Sequence, residues 1–279
     1  MGCIVAQSER VVEAIGADAA LRQKILLHVK EASRDFDFSL SPPEVATDVY
    51  EDMARLAGIE DLYAELKAYA TRHAKALMPR LRDTISASHD PLLTLLKVAV
   101  AGNVIDLAAE VSFDLDEELE KIFHTDFAVD DVVVLRQKLS HAKTLLYIGD
   151  NAGEHLFDYL AIEALQRLYP KLHVSYMVRG NPIINDVTIK EAKEAGFEQL
   201  CTLVDSGVNT PGFVYERATL EAQRLFERAD IVVTKGMGNY ECLSPSPRKS
   251  LLYLLKVKCS VVANALNQNV GDIICKMVK

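Results

Sequence analysis

Asp150, Asn151 and Glu154 close the stretch Leu145-Leu146-Tyr147-Ile148-Gly149-Asp150-Asn151-Ala152-Gly153-Glu154, in which an apolar run ends abruptly at a glycine. Two acids and an amide sit close together there, and Gly149 and Gly153 allow the backbone to bend sharply around them. Hard divalent cations such as Mg²⁺ or Mn²⁺ take that oxygen-rich donor set. The plain alternative is a turn in which Asp150 or Asn151 caps the next helix.

Three more stretches share this character: Arg179-Gly180-Asn181-Pro182-Ile183-Ile184-Asn185-Asp186, Asp205-Ser206-Gly207-Val208-Asn209-Thr210-Pro211-Gly212 and Lys235-Gly236-Met237-Gly238-Asn239-Tyr240-Glu241. Their carboxylates and carboxamides suit a cation. Lys235 is a compact charge suited to a phosphate oxygen, and the glycines let backbone N–H groups approach an anion. Each residue also has an ordinary reading. Asp186 caps the next helix, Arg179 pairs with a neighbouring acid, Asp205 is a turn residue, or Lys235 is a solvated loop lysine. The Gly236-Met237-Gly238 turn offers Lys235 no local carboxylate partner.

These stretches need elements to bring them together. Each follows a short apolar run that reads as a strand: one ending at Ile148, then Leu172 to Val178, Leu200 to Val204, and Asp230 to Thr234. Helical patterns come between them. One runs from Glu154 to about Tyr169, one opens with Thr188 and Glu191 at capping-box spacing, and one is amphipathic over Val214 to Glu227. Ser246-Pro247 reads as a further helix start, with Ser260 to Ala263 and Ile273 to Val278 as late strands. The alternation specifies an α/β fold, a mostly parallel sheet flanked by helices. Its ligand-binding loops share the edge at the strands' carboxyl ends. The strand that leads into Lys235 is expected to end beside the one that leads into Asp150.

Residues 1–125 read as a helical N-terminal region, and 126–279 as the α/β domain carrying the site. Ser41-Pro42-Pro43-Glu44 has the form of a helix start and Gly58 that of a stop. Leu62, Leu66, Tyr69, Ala70, His73 and Leu77 make an apolar face that breaks near Pro79. From Asp90-Pro91 a helix follows whose residues Leu92 to Val100 are nearly all apolar, so it is expected to be buried on all sides. It runs into Ala101-Gly102-Asn103-Val104-Ile105-Asp106, either a simple C-cap or a second source of polar side chains for the site. The acids from Asp114 to Glu120 read as a solvated face.

A net charge of −9 over 279 residues argues against nucleic acid or an anionic membrane as partner. The start of the chain lacks the pattern of a signal peptide, and no apolar run approaches the ~20 residues of a membrane span. The five cysteines (3, 201, 242, 259 and 275) are scattered, with no CxxC pair, which points to free thiols in a reducing cytoplasm. The seven histidines do not cluster, and His155, the one nearest the first loop, is expected to pack on or leave its helix surface. There is no glycine-rich dinucleotide fingerprint, P-loop or nucleophile elbow.

The motifs around Asp150, Arg179 and Lys235, together with Ala101-Gly102-Asn103-Val104-Ile105-Asp106 and Asn269-Val270-Gly271-Asp272, resemble the damage-control metal-dependent phosphatases, the family of domain of unknown function 89. More narrowly they resemble its short prokaryotic branch. That resemblance implies a helical region on an α/β domain, a divalent metal (Mn²⁺, Co²⁺, Ni²⁺ or Mg²⁺) and hydrolysis of small phosphorylated metabolites such as phosphosugars or damaged phospho-cofactors. It places the metal ligands at Asp150, Asn151 and Asp186 and the phosphate-binding lysine at Lys235. Asn103, Glu154, Arg179 and Asn239 fall in the same pocket, and either Asp150 or Glu154 handles the water. Members of this branch often begin with a C-x-x-C pair, of which only Cys3 stands here. Two other functions fit less well: an S-adenosylmethionine-dependent carboxyl methyltransferase, which would be expected to show a glycine-rich turn after its first strand, and a non-catalytic metabolite sensor.

Overall fold

The computed structural model describes residues 2–37, 39–102 and 115–278, the side chains of 2, 3 and 115–118 excepted. Asn103 and Asp114 therefore lie outside the described residues, as do the side chains of Asp116, Glu117 and Glu118. The chain opens with helices α1 (Gly2–Ala14), α2 (Ala19–Ala32) and α3 (Pro42–Ala57). Helix α3 begins as its residues dictate, with Ser41 and Glu44 in a reciprocal capping box and prolines in the first positions, and it ends at Gly58 in the left-handed region.

Helix α4 (Ala64–Ala87) continues through Pro79, against the break expected there. A mid-helix proline costs about 3 kcal/mol. Ala74, Leu81 and Ile85, on both sides of it, are buried in one core, and that burial outweighs the cost. Helix α5 (Pro91–Gly102) is buried over nearly its whole length, as its composition requires. Helix α6 is Leu115–His124.

The α/β part comprises β1 (Val129–Asp130), α7 (Val132–Leu139), β2 (Thr144–Ile148), α8 (Glu154–Leu168), β3 (His173–Val178), α9 (Ile189–Glu194), α10 (Phe197–Leu200) and β4 (Thr202–Asp205). A 3₁₀ turn at Tyr215–Arg217 precedes α11 (Leu220–Arg228), so the amphipathic helix begins later than its pattern suggests. Then come β5 (Ile231–Lys235), α12 (Gly236–Leu243), β6 (Leu251–Lys256), α13 (Ser260–Leu266) and β7 (Ile273–Met277).

Two late elements differ from expectation. Ser246-Pro247 starts no helix; it leads through a turn into β6, a strand buried at Leu251 through Leu255. Arg248 pins that turn by donating to the carbonyls of Glu227 and Ala229. Ser260 to Ala263 is helical, with Val262, Ala263 and Leu266 buried and Val261 facing out. Short apolar runs do not distinguish helix from strand by period, and the place each fills in the sheet decides.

The seven strands form one sheet in the order β1-β7-β6-β5-β2-β3-β4, parallel throughout except for the antiparallel β6–β7 pair. The chain runs outward from β2 to β3 and β4, then returns to place β5 on the other side of β2. The β2–β5 junction is thus the topological switch point, where open sheets bind ligands. Ile148 stands opposite Thr234, which sets Gly149-Asp150 beside Lys235-Gly236 as expected. Helices α4, α5, α7 and α8 pack on one face in a core reaching Tyr147, Tyr176 and Val233. Helices α11, α12 and α13 pack on the other face against Ile148, Met177 and Val232. Helices α1–α3 have a third cluster of their own, joined by Ile183. Among the described residues no helix is long and apolar enough to cross a membrane.

Candidate active site

The loop after β2 does not cap helix α8 with Asp150 or Asn151. The N-cap position is held by Gly153, at φ +86° with Ala70 of α4 standing 2.9 Å from where a Cβ would be, and no side chain caps the helix there. Instead the loop pairs with the segment after β3. Asn151 bridges Asp186, Ala152 donates its N–H to the Asn185 carbonyl at 2.8 Å, and Val187 donates to the Asp150 carbonyl at 2.8 Å. Those backbone bonds draw Asp150, Asn151 and Asp186 together, all buried.

Asn151 donates through Nδ2 to Asp150 at 3.1 Å and to Glu154 at 3.3 Å. Gly236, at φ +76°, lies hard against the Asp150 carboxylate, where a Cβ would come within 1.8 Å of Oδ2. Burial, followed by the negative charges of Glu154 and Asp186, pushes the Asp150 carboxyl well above the usual range.

Arg179, at the end of β3, is fully buried and does pair with an acid. Its Nε donates to Asp186 at 2.8 Å and its Nη2 to the Asn239 carbonyl oxygen at 3.2 Å, while Nη1 is buried and has no hydrogen-bond partner among the described residues. Asn239, on α12, ties the loops together by donating to the carbonyls of Gly149 and Lys235 and accepting from the Phe213 N–H. Asp186 is no helix cap, because Thr188 and Glu191 form the capping box of α9.

Lys235 is not a solvated lysine. It is completely buried, and its ammonium donates to the Ala99 carbonyl of α5 at 2.8 Å, to Asp158 at 2.8 Å and to Glu154 by a shorter contact. The carboxylate partners absent from its own turn come from helix α8, one turn apart. Asp158 also accepts from Tyr147 at 2.6 Å and Tyr176 at 3.3 Å. Burial opposes the charge of Lys235, but Asp158 and Glu154 more than offset it, so its pKa is raised. Burial pushes Asp158 up to about 6, with Lys235 holding it back from going further.

The remaining polar loop residues stand apart. Asp205 is an exposed turn residue accepting from the Gly207 N–H, Ser206 bonds back to Val178, and Asn209 reaches Glu51 on α3. Glu241, half-buried, is pushed up to about 7 by burial. His155 is fully buried rather than on a surface, accepting from the Gly153 N–H and stacked on Phe197. The sequence reading missed Asp158 and the two tyrosines. The signal was present as two acids four residues apart, on one face of the helix and among the mostly apolar residues of its first half.

By fold and site this is a helix-flanked α/β protein whose buried polar side chains gather where the strand order of its sheet reverses. Residues 1–274 match the family model described as the damage-control phosphatase ARMT1-like domain, and the chain belongs to that family. A damage-control phosphatase of Pyrococcus horikoshii is 29% identical over 98% of this chain and 94% of its own length. One from Archaeoglobus fulgidus is 34% identical over 84% of this chain and 82% of its own. The crystal structure of a DUF89 family protein from Pyrococcus horikoshii, 29% identical, superposes with a TM-score of 0.90 over 100% of this chain and 97% of that one.

Proposed function

We propose that this chain is a divalent-metal-dependent phosphomonoesterase acting on small phosphorylated metabolites. Charge carries the reading. Among the described residues, the carboxylates of Asp150, Glu154, Asp158 and Asp186 and the cations of Arg179 and Lys235 are all at most 8% exposed. Fully ionised, the set has two negative charges too many, and burying unpaired charge is costly. Burial first, then the neighbouring carboxylates, raise the Asp150 and Asp158 carboxyls, so without a cation holding protons is favoured there. A divalent cation is the matching neutraliser.

Asp150, Asp186 and the Asn151 amide oxygen would hold Mn²⁺, Co²⁺, Ni²⁺ or Mg²⁺, hard-oxygen chemistry suited to that donor set. Among the described residues no three His, Cys, Asp or Glu side chains stand as a complete cage. The hold would therefore rest on two carboxylates, one amide and outside oxygens. When bound, the cation supplies Lewis-acid polarisation of a phosphoryl oxygen and a water of lowered pKa. Arg179 Nη1, which has no partner among the described residues, is a donor that a phosphate oxygen fits. The amino-terminal end of α8 favours negative charge in the same place. Asp150 or Glu154 orients or deprotonates the water. The damage-control phosphatases of Pyrococcus horikoshii and Archaeoglobus fulgidus support a phosphatase role.

The test is hydrolysis of a chromogenic phosphate ester, then of a panel of phosphorylated sugars and cofactors, with each of the four metals. Turnover is expected that chelation abolishes and that Asp150→Ala removes without unfolding the protein. No turnover by folded wild-type protein with any of the metals sinks the reading. Equilibrium binding of S-adenosylmethionine is expected to be absent, and its presence would favour the methyltransferase instead.

A further inference from the structure

The Lys235 ammonium has three donors and three acceptors, which leaves no N–H for a phosphate. The acceptors are unequal. Asp158 is fixed from several sides: it lies on the second turn of α8, is completely buried, and takes the hydroxyls of Tyr147 and Tyr176 in addition to Lys235. The Ala99 carbonyl belongs to the backbone of the buried helix α5. Glu154 is at the first residue of α8, next to the Asp150-Asn151 loop, and its second oxygen accepts from Asn151 at 3.3 Å. It is the only one of the three that already faces the loop.

We propose that Asp158, with Tyr147 and Tyr176 behind it, is a positioning residue that anchors Lys235, while Glu154 is a displaceable partner that gives way to the substrate phosphate. The inference rests on the phosphatase reading. On substrate arrival Lys235 keeps Asp158 and the Ala99 carbonyl and exchanges Glu154 for a phosphate oxygen. The released Glu154 carboxylate then turns toward the loop, where Asn151 already meets its second oxygen. The exchange also explains why a lysine at the ligand edge of the sheet is completely buried: its charge is stored against Glu154 until an anion competes for it.

Two single substitutions make the test sharp, because each removes one negative charge from the same lysine. Simple electrostatics requires both Glu154→Gln and Asp158→Asn to tighten anion binding. Anchor and gate require opposite signs. Inorganic phosphate binding is measured by calorimetry in the presence of Mn²⁺, and as competitive inhibition of chromogenic ester hydrolysis. Glu154→Gln is expected to bind phosphate about tenfold more tightly while turning over more slowly. Asp158→Asn is expected to bind it about tenfold more weakly with a raised KM. Tyr147→Phe with Tyr176→Phe keeps the carboxylate but loosens it, and is expected to weaken phosphate binding severalfold in the same direction. That double variant also decides the matter if Asp158→Asn does not fold. Tighter or unchanged phosphate binding in the folded Asp158→Asn protein, or in the tyrosine pair, overturns the anchor. Unchanged binding in Glu154→Gln overturns the gate. Wild-type protein that neither binds phosphate nor turns over ester with Mn²⁺ overturns the phosphatase reading itself, and this inference with it. That result is distinct from the failures of the variants.

Discussion

Gly236→Ala tests the proposed cation site without replacing any of its proposed ligands. The ideal Cβ at position 236 stands 1.8 Å from Asp150 Oδ2 and 2.4 Å from its Cγ. Restoring even a 3.0 Å contact moves that oxygen by about 1.2 Å, more than half of a Mg²⁺–oxygen bond. A misplacement of about 1 Å at a reacting centre costs on the order of 100-fold in rate. Turnover should fall by about that factor, with Mn²⁺ affinity down by tenfold or more. The backbone adds its own penalty, since φ +76° costs a non-glycine residue about 1–2 kcal/mol. That corresponds to a melting temperature lower by several degrees for a chain of this size. Gly271→Ala separates the two effects, for Gly271 has φ +99° and nothing within 4 Å of a new Cβ. It should lose comparable stability with normal turnover and metal affinity. Calorimetric Mn²⁺ titration, ester hydrolysis and thermal melts on both variants decide the matter. Folded Gly236→Ala with metal affinity and turnover within twofold of wild type would refute the placement of Asp150 at the heart of the site.

Three further outcomes are expected. Asp186→Ala should abolish metal-stimulated turnover, whereas Thr188→Ala should lose about 1 kcal/mol of stability through its helix cap and keep turnover; ester hydrolysis and urea melts distinguish them. Mn²⁺ at 100 times its dissociation constant should stabilise the protein by about 2.7 kcal/mol, reversed by chelator, and a melting temperature indifferent to metal would contradict the charge argument. Burial depresses His155 to about 4, against ~6.5 when unfolded, so the unfolded chain gains a proton first as pH falls. His155 thus withdraws up to about 3 kcal/mol of stability between pH 6.5 and 4, and none above it. His155→Phe should flatten the acid side of the difference from wild type in urea midpoints at pH 4.5 and 7, and identical slopes would show that the ring is protonated without penalty.

The sheet, the clustering of its loops on one edge, and the neighbourhood of Asp150 and Lys235 were legible because β2, β3, β4 and β5 each pair an apolar run with an abrupt polar stop. Strand β6 was not, since Leu251 to Leu255 is apolar throughout and its place between β5 and β7 is a fact of tertiary structure. Pro79 misled for the same reason in reverse: the proline is local, and the burial of Leu81 and Ile85 that carries the helix past it is not. In the site, the residue types were readable and their pairing was not. Nothing near Lys235 in the chain hints that Glu154 and Asp158, 81 and 77 residues earlier, hold its ammonium. Charges of opposite sign find each other through the fold, and a sequence shows only the local half of each pair.

Helices α1–α3 bury Val12, Ile25, Met53 and their neighbours among themselves, in a cluster apart from those of the sheet. An element with its own small core opens as its own cooperative unit, at a lower free energy than the whole molecule. Yet Ile183 belongs to that cluster and lies three residues before Asp186. The unit and the loop are therefore thermodynamically linked, and by reciprocity whatever tightens one tightens the other. Amide exchange in α1–α3, on the side of the cluster away from the loop, would then report on occupancy of the site. A cavity such as that of Met53→Ala would weaken ligand binding in a molecule whose sheet is untouched.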